Sequence, residues 1–387
     1  MRNLLATLCS ASLLALAGIT PAQAQNTIRI GAMFSLSGVF AQVDVGGSQG
    51  VEMAVDEINR KGGIKIGGVA NKVDLVTEDV RSLVPATITA TERLIRDQKV
   101  PVIFGPIIGV LATPAQEVTQ PAKVIHFGPA VQWRALVGKP EKKYLINSQL
   151  DDAPRYAAWV PAIVRETKIK TIAMLGRNDA AARGILATLE KEMDKAGVKV
   201  VYQEYFESTT TDFSPFLTRI RGLKPDMLLF GYGDQYGVAI LRQSDELKVA
   251  PHYASFAGTS VDVPLKGALG HPVDSYVGMS ASENLVQPLH DEVKSFVQAY
   301  KTKYGKEPTG QTEWALTMYD YVLMWAKAVE LAGTATDNEK VIEKLRGMSY
   351  KGVINVQIDE RGQATHDFDM FVFHGGKLQY QHVNVLR

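Results

Sequence analysis

The feature that most constrains this chain is its rhythm. Short β-branched, apolar runs alternate with stretches whose apolar residues recur at helical spacing, and the alternation is played through twice. Strand–helix alternation of this kind marks parallel α/β sheets. In the first pass, residues 27–34 read as a buried strand, followed by a Ser- and Gly-rich loop and then a helix with Val51, Ala54, Val55 and Ile58 on one face. Arg60 and Lys61 fall in the last turn of that helix, and Gly62-Gly63 supplies a left-handed stop. A strand, a small-residue loop and a helix N-terminus together make a place for a small ligand, above all an anion. Strands over 72–78, 100–105 and 123–128 and a helix over 84–98 complete this unit. The second pass starts at Lys170. It gives a strand at TIAMLG, a helix with Leu186, Leu189, Met193 and Ala196 on one face, and a strand over 199–206. A helix capped by Asp212 and a strand over 226–231 follow. Two units of similar size predict two lobes rather than one long sheet.

Residues 1–24 stand outside this pattern. Arg2, the apolar run 4–18 and Ala22-Gln23-Ala24 have the layout of a cleaved secretory signal. The run is shorter than the ~20 residues a membrane-spanning helix needs. Cys9, the only cysteine, lies inside this run without the small residue before it that a lipidation site requires. The chain left after cleavage therefore has no disulfide and no thiol chemistry. Removing 24 residues from 387 leaves 363, enough for two domains with sizeable cores. With Arg2 gone the remaining charges balance, so the chain has no excess of positive charge for nucleic acid or an anionic membrane.

Particular runs carry a family likeness. Ser37-Gly38, Ala41-Gln42, Gly50-Val51-Glu52 and above all AVDEINRKGGI resemble the opening of the periplasmic branched-chain amino-acid-binding proteins, the solute receptors of ABC importers. TDFSPFLTRIRGLKPDMLLFGYG at 211–233, ILRQ at 240–243, the helix expected at 312–331 and the hairpin around Gly375-Gly376 resemble later parts of the same family. The likeness implies a two-lobed type I periplasmic binding fold, each lobe a parallel-rich sheet flanked by helices. It implies three hinge crossovers, near 147, 277 and 352. Lobe 1 is then 25–147 with 277–352, and lobe 2 is 148–276 with 353–387. It also implies a monomeric, cofactor-free periplasmic receptor that closes on a small solute and hands it to an inner-membrane ABC permease. A ligand sensor for a membrane signalling protein is the other role such a fold serves.

Enzyme chemistry finds little support in the residues. No histidines pair at i, i+4 around a glutamate, no GxSxG elbow occurs, and no cysteine remains as a nucleophile. His366, His374 and His382 read as surface strand positions, and Asp151-Asp152 before Pro154 reads as a helix cap. Gly231-Tyr232-Gly233 with Gly237 misses dinucleotide-fingerprint spacing by one residue.

In the resembled family a ligand carboxylate meets amides and hydroxyls on two loops of the first lobe, and an acid of the second lobe meets the ammonium. Matching those loops places Gly109 where a serine is usual and Gln132 where a threonine is usual, with Ala130 beside it. The acidic position falls on Ala257, and the family's tyrosine positions fall on Val43, Ala181 and Gly233. An ammonium would thus lack its partner, while Gly109, Ala130 and Gln132 still offer donors to an anion. Phe40, Ile107, Ile108, Tyr232 and Phe256 would wall a widened pocket, with core packing the alternative for all of these but Tyr232. Arg177 and Asp179 face the cleft or form a surface pair. The expected ligand is a hydrophobic carboxylate, an aromatic acid first. A branched-chain or other amino acid or amide is the alternative.

Overall fold

The computed structural model describes residues 26–129, 131–231, 235–256, 276–280, 284–285, 287–308, 312–374 and 377–386. The expected signal segment lies outside them, as do Ala130, Tyr232, Gly233 and Ala257.

The first half builds β1 (Asn26–Phe34), α1 (Ala41–Arg60), β2 (Ile64–Ile66), β3 (Val69–Asp79), α2 (Val84–Arg96), β4 (Val102–Phe104), α3 (Gly109–Thr119), β5 (Ile125–Gly128) and β6 (Leu145–Asn147). These six strands form one sheet in the order β2-β3-β1-β4-β5-β6, parallel except for the β2–β3 pair. The second half builds α4 (Asp152–Thr167), β7 (Thr171–Arg177), α5 (Ala180–Lys195), β8 (Lys199–Phe206), α6 (Ser214–Leu223), β9 (Met227–Phe230), α7 (Gln235–Leu247), β10 (His252–Ser255) and β11 (Tyr276–Met279). The chain then adds α8 (Asp291–Tyr304), α9 (Glu313–Ala332), α10 (Asn338–Leu345), β12 (Ser349–Lys351), β13 (Asn355–Ile358), β14 (Ala364–His366), β15 (Phe368–His374) and β16 (Lys377–Val383). The second sheet runs β16-β15-β11-β10-β9-β7-β8, and β12-β13-β14 form a small third sheet. The molecule is thus the two-lobed α/β architecture expected from the alternation.

The helix expected from residue 51 in fact starts at Ala41 and runs through the glycines taken for a loop. The reason is packing. A Cβ on Gly50 would lie 2.0 Å from the Ala315 carbonyl of α9, and one on Gly47 would strike Ile107 and Phe34. These glycines are small because a neighbour is close, although each carries a helix penalty of about 1 kcal/mol. The helix ends as read, with Gly62 and Gly63 at φ +101° and +95°.

The chain's passages between sheets also differ from expectation. The last strand of the first sheet, β6, ends at Asn147, and α4 and the second sheet follow. The second passage falls beyond Met279, because β11 pairs parallel with β10 inside the second sheet. The third falls after His366 rather than near 352. Ile354, Val356, Ile358 and Ala364 are buried in the same core as Ile30 and Trp325, so the third sheet packs with the first lobe.

His366 is not a surface position. It is 1 % exposed, its Nδ1 lies 2.8 Å from the Asp367 carbonyl, and burial pushes its pKa down to about 4. His382 is also largely covered and sits 3.0 Å from Asp369 Oδ1. Asp151 occupies the N-cap position of α4 without a side-chain capping bond, and Asp152 instead pairs with Arg134.

Candidate functional site

In open α/β sheets, ligands bind outside the carboxyl ends of the strands. At that edge of the first sheet stand the segments after β1, β3, β4 and β5, and two carboxylates, one buried and one partly buried, tie them together. Asp44, in the first turn of α1, is fully buried and accepts the amides of Ser35 (2.7 Å) and Ile107 (2.9 Å). Burial raises its pKa against the pull of those amides. Asp79 accepts the Leu36 amide at 2.9 Å and the Ser37 hydroxyl at 2.7 Å. Partial burial works against its charge, but the bonds from Ser37, Arg81 and Leu36 outweigh that and hold its carboxyl below the usual range. Ser82 Oγ donates to the Ser37 carbonyl and accepts the Phe40 amide.

A second network fixes the β4–α3 segment from behind. His126 Nε2 lies 2.7 Å from the Gly105 carbonyl, which can only accept, so Nε2 carries the proton and Nδ1 accepts from Gln116 Nε2 at 2.7 Å. Gln116 Oε1 accepts from Gln120, whose Oε1 accepts the Tyr144 amide. Burial pushes the His126 pKa down to about 4, so the ring stays neutral. Trp133 packs edge-on to His126 at 5.0 Å and donates to Thr113 Oγ1 at 3.1 Å.

This scaffold presents the N-terminus of α3. Its N-cap residue, Ile108, makes no side-chain capping bond. The first amide that returns into the helix is that of Leu111, to the Ile108 carbonyl. Gly109 therefore opens a helix whose first amides point onward, as an anion site requires. Phe40 and Ile108 are half-buried beside it, whereas Ile107 is 5 % exposed and packs into the core. Gln132 lies in the short 3-10 helix Val131–Ala135.

Across the crevice, Phe256 follows β10 and is 1 % exposed. Its ring fills the space over Gly231, where a Cβ would lie 2.3 Å from it. Arg177 and Asp179 form an ion pair at 2.5 Å, with Asp179 Oδ1 also accepting the Ala182 amide as the cap of α5. Both oxygens of this carboxylate are engaged. Val43 lies on α1 and Ala181 in the first turn of α5.

Sequence reasoning missed Asp44, Asp79 and the His126 relay. Asp44 was hidden by the misplaced start of α1. Gln116 and Gln120 are one helical turn apart, but their partners His126 and Tyr144 lie 10 and 24 residues further along and share no periodic pattern with them. Among the described residues, no group of three or more His, Cys, Asp or Glu could hold a metal ion, and no helix is long and apolar enough to cross a membrane.

Comparison with known proteins fits this geometry. A family profile described as periplasmic binding protein matches residues 27–377. The leucine-, isoleucine-, valine-, threonine- and alanine-binding protein of Pseudomonas aeruginosa is 25 % identical over 371 residues, covering 93 % of this chain and 94 % of that one. The crystal structure of the branched-chain amino-acid transporter substrate-binding protein LivJ from Streptococcus pneumoniae, in complex with isoleucine, superposes with a TM-score of 0.73 at 21 % identity. It covers 92 % of this chain and 99 % of that one. A solute-binding protein of an ABC transporter from R. palustris, in complex with benzoate, gives a TM-score of 0.68 at 16 % identity over 92 % and 96 % of the chains.

Proposed function

This chain belongs to the periplasmic binding protein family, as a solute-binding protein of the branched-chain amino-acid type of ABC transporter, and on that premise we propose that it takes a hydrophobic carboxylate without an α-ammonium, an aromatic acid first. Members of the family are substrate-binding proteins, not enzymes. On this reading, residues 1–24 direct export and are removed, and the mature chain delivers its ligand to an inner-membrane permease.

One observation carries the choice of ligand. Three described carboxylates at the carboxyl edges of the two sheets, Asp44, Asp79 and Asp179, are engaged by internal donors. An amino acid would bring in an ammonium, and a buried charge without a partner costs roughly several kcal/mol. A carboxylate, by contrast, needs only donors, and the uncapped N-terminus of α3 at Gly109 is one set of them at this edge, with Gln132 in the 3-10 helix after β5; Ala130 is proposed to add its amide. Phe40 and Ile108 would give the ring a partly apolar wall, together with Tyr232 from the second lobe. Ile107 and Phe256 would shape the pocket from within the cores. By the family likeness Ala257 takes the position of the ammonium's counter-charge, and Arg177, paired with Asp179 at the end of β7, would add a positive charge on that side. The benzoate complex of the R. palustris protein is consistent with this chemistry.

The names of the Pseudomonas and Streptococcus proteins favour a second reading, a branched-chain amino acid as ligand. One experiment separates the two. Protein is recovered from the periplasmic fraction, its N-terminus is checked for Gln25 by intact mass, and it is titrated calorimetrically with benzoate, a phenylpropenoate, leucine and isoleucine. The expected result is tighter binding of the aromatic acids by about tenfold or more, since one unpaired charge is worth at least ~1.4 kcal/mol. Tight leucine binding with no response to the aromatic acids would overturn the proposal.

A further inference from the structure

Arg155 lies in the first turns of α4 and is 5 % exposed, yet its Nε and Nη2 have no hydrogen-bond partner. Its guanidinium carbon sits 5.7 Å from the ring centre of Phe368 and 6.0 Å from that of Tyr156. The nearby acids are taken. Both oxygens of Asp152 bond the guanidinium of Arg134. Asp151 faces Arg361 at 4.0 Å, and Asp367 Oδ1 accepts the Val385 and Leu386 amides. His366, the other titratable neighbour, is neutral above about pH 4 and supplies no negative charge. A guanidinium keeps its charge when buried and cannot escape by deprotonation, so donors left unused are a standing cost.

The position of these donors is informative. β15 runs antiparallel to β11 with Met370 opposite Met279, so Phe368 lies at the carboxyl edge of the second sheet. Tyr156, the next residue of α4, donates its hydroxyl to the Phe256 carbonyl at 3.1 Å, at the end of β10 on that same edge. Arg155 therefore stands at the carboxyl edge of the second sheet, between the first passage of the chain (148–151) and the third (366–368). It also stands at a helix N-terminus that lacks a side-chain cap.

We propose that Arg155 and the N-terminus of α4 form an anion site in the floor of the inter-lobe crevice, which receives a carboxylate group of the ligand. The site rests on the reading of the ligand as a carboxylate and adds the residue that selects for it. A guanidinium offers a carboxylate two parallel N–H donors, and the flanking rings of Phe368 and Tyr156 leave an apolar margin for an aromatic body.

The test compares wild type, Arg155→Met and Arg155→Lys by calorimetry with benzoate, benzamide and leucine, together with the melting temperature of each ligand-free protein. Arg155→Met should lose roughly 10- to 100-fold in benzoate affinity, as expected for charge-assisted bonds. Arg155→Lys should lose less, and neither change should affect benzamide. The melting temperature of Arg155→Met should be unchanged or higher, because buried donors without hydrogen-bond partners are removed while Asp152 keeps its bonds to Arg134. A purely structural cation would instead give a lower melting temperature and unchanged benzoate affinity, which overturns the site while leaving the carboxylate reading intact. If wild type binds leucine rather than benzoate, that reading fails. The same variants titrated with leucine then decide Arg155, and unchanged affinity sinks it. If wild type binds neither, ligand-free crystals soaked in sodium bromide decide it. An anomalous peak against Nε and Nη2 supports the site, and its absence overturns it.

Discussion

Asp320 shows how much one buried group can decide. It lies in α9, is fully buried, and accepts the amides of Val353 (3.1 Å) and Ile354 (2.6 Å), with Gly352 so close that a Cβ there would lie 2.4 Å from Oδ1. Burial pushes its pKa up from 3.8 to about 7, against the pull of those two amides. Between about pH 4 and about pH 7 the folded chain therefore holds a proton that the unfolded chain has released. The contribution of this group to stability falls as pH rises through that window and is flat above it. Asp320→Asn should remove this slope from a plot of melting temperature against pH. It should also cost about 1–3 kcal/mol at low pH, because an amide nitrogen would face a backbone donor. Identical slopes for the two proteins would show that another group titrates there. None of this was legible in the sequence, where Asp320 is one acid in an apolar helix. His366 was misread for a similar reason: its neighbours in the chain suggest an edge strand, and only the packing of the third sheet reveals its burial.

At the scale of elements the sequence was a better guide, and its failures share a cause. The strands 199–206 and 226–231 and the buried face of α5 were read closely, because period and turn chemistry are local. The start of α1 differs because Gly46, Gly47 and Gly50 look like loop residues until α9 is laid against Gly50, and Ile107 and Phe34 against Gly47. The passages near 277 and 352 were misplaced because strand partnership is a long-range fact. Gly50→Ala tests the packing account. The Ala315 carbonyl cannot rotate away as a side chain could, so α1 and α9 should be forced apart. Chemical denaturation should show a loss of about 3 kcal/mol, whereas Gly184→Ala, with open space at its Cβ, should be neutral or slightly stabilising. Equal stabilities for the two variants would refute close packing as the reason for the glycine. Of the candidate site, the strand-end loops were legible. The buried acids and the His126 relay that fix them were not, because such networks join residues that only the fold brings together.

At the scale of the whole molecule, two sheets joined by three passages should open and close around a ligand. Small-angle scattering should show a smaller radius of gyration at saturating ligand than without it. An unchanged radius would mean that the ligand-free form is already closed. The manner of that motion follows from the passages themselves. The side chains of Asn147 and Gln363 are bonded at 2.9 Å, and Gln363 Nε2 reaches the Gln149 carbonyl, so the first passage is fastened to the segment that leads through β14 into the third. The second is fastened to the third, since the carbonyl of Asp369 accepts the Ser280 amide and its carboxylate accepts the Asn284 amide. Three separate threads would let the lobes twist, slide and swing independently. Three laced threads behave as a ribbon, supple across its width and stiff in torsion. The lobes then approach along a single arc, and a ligand has one angle to arrest instead of a tumbling partner to capture.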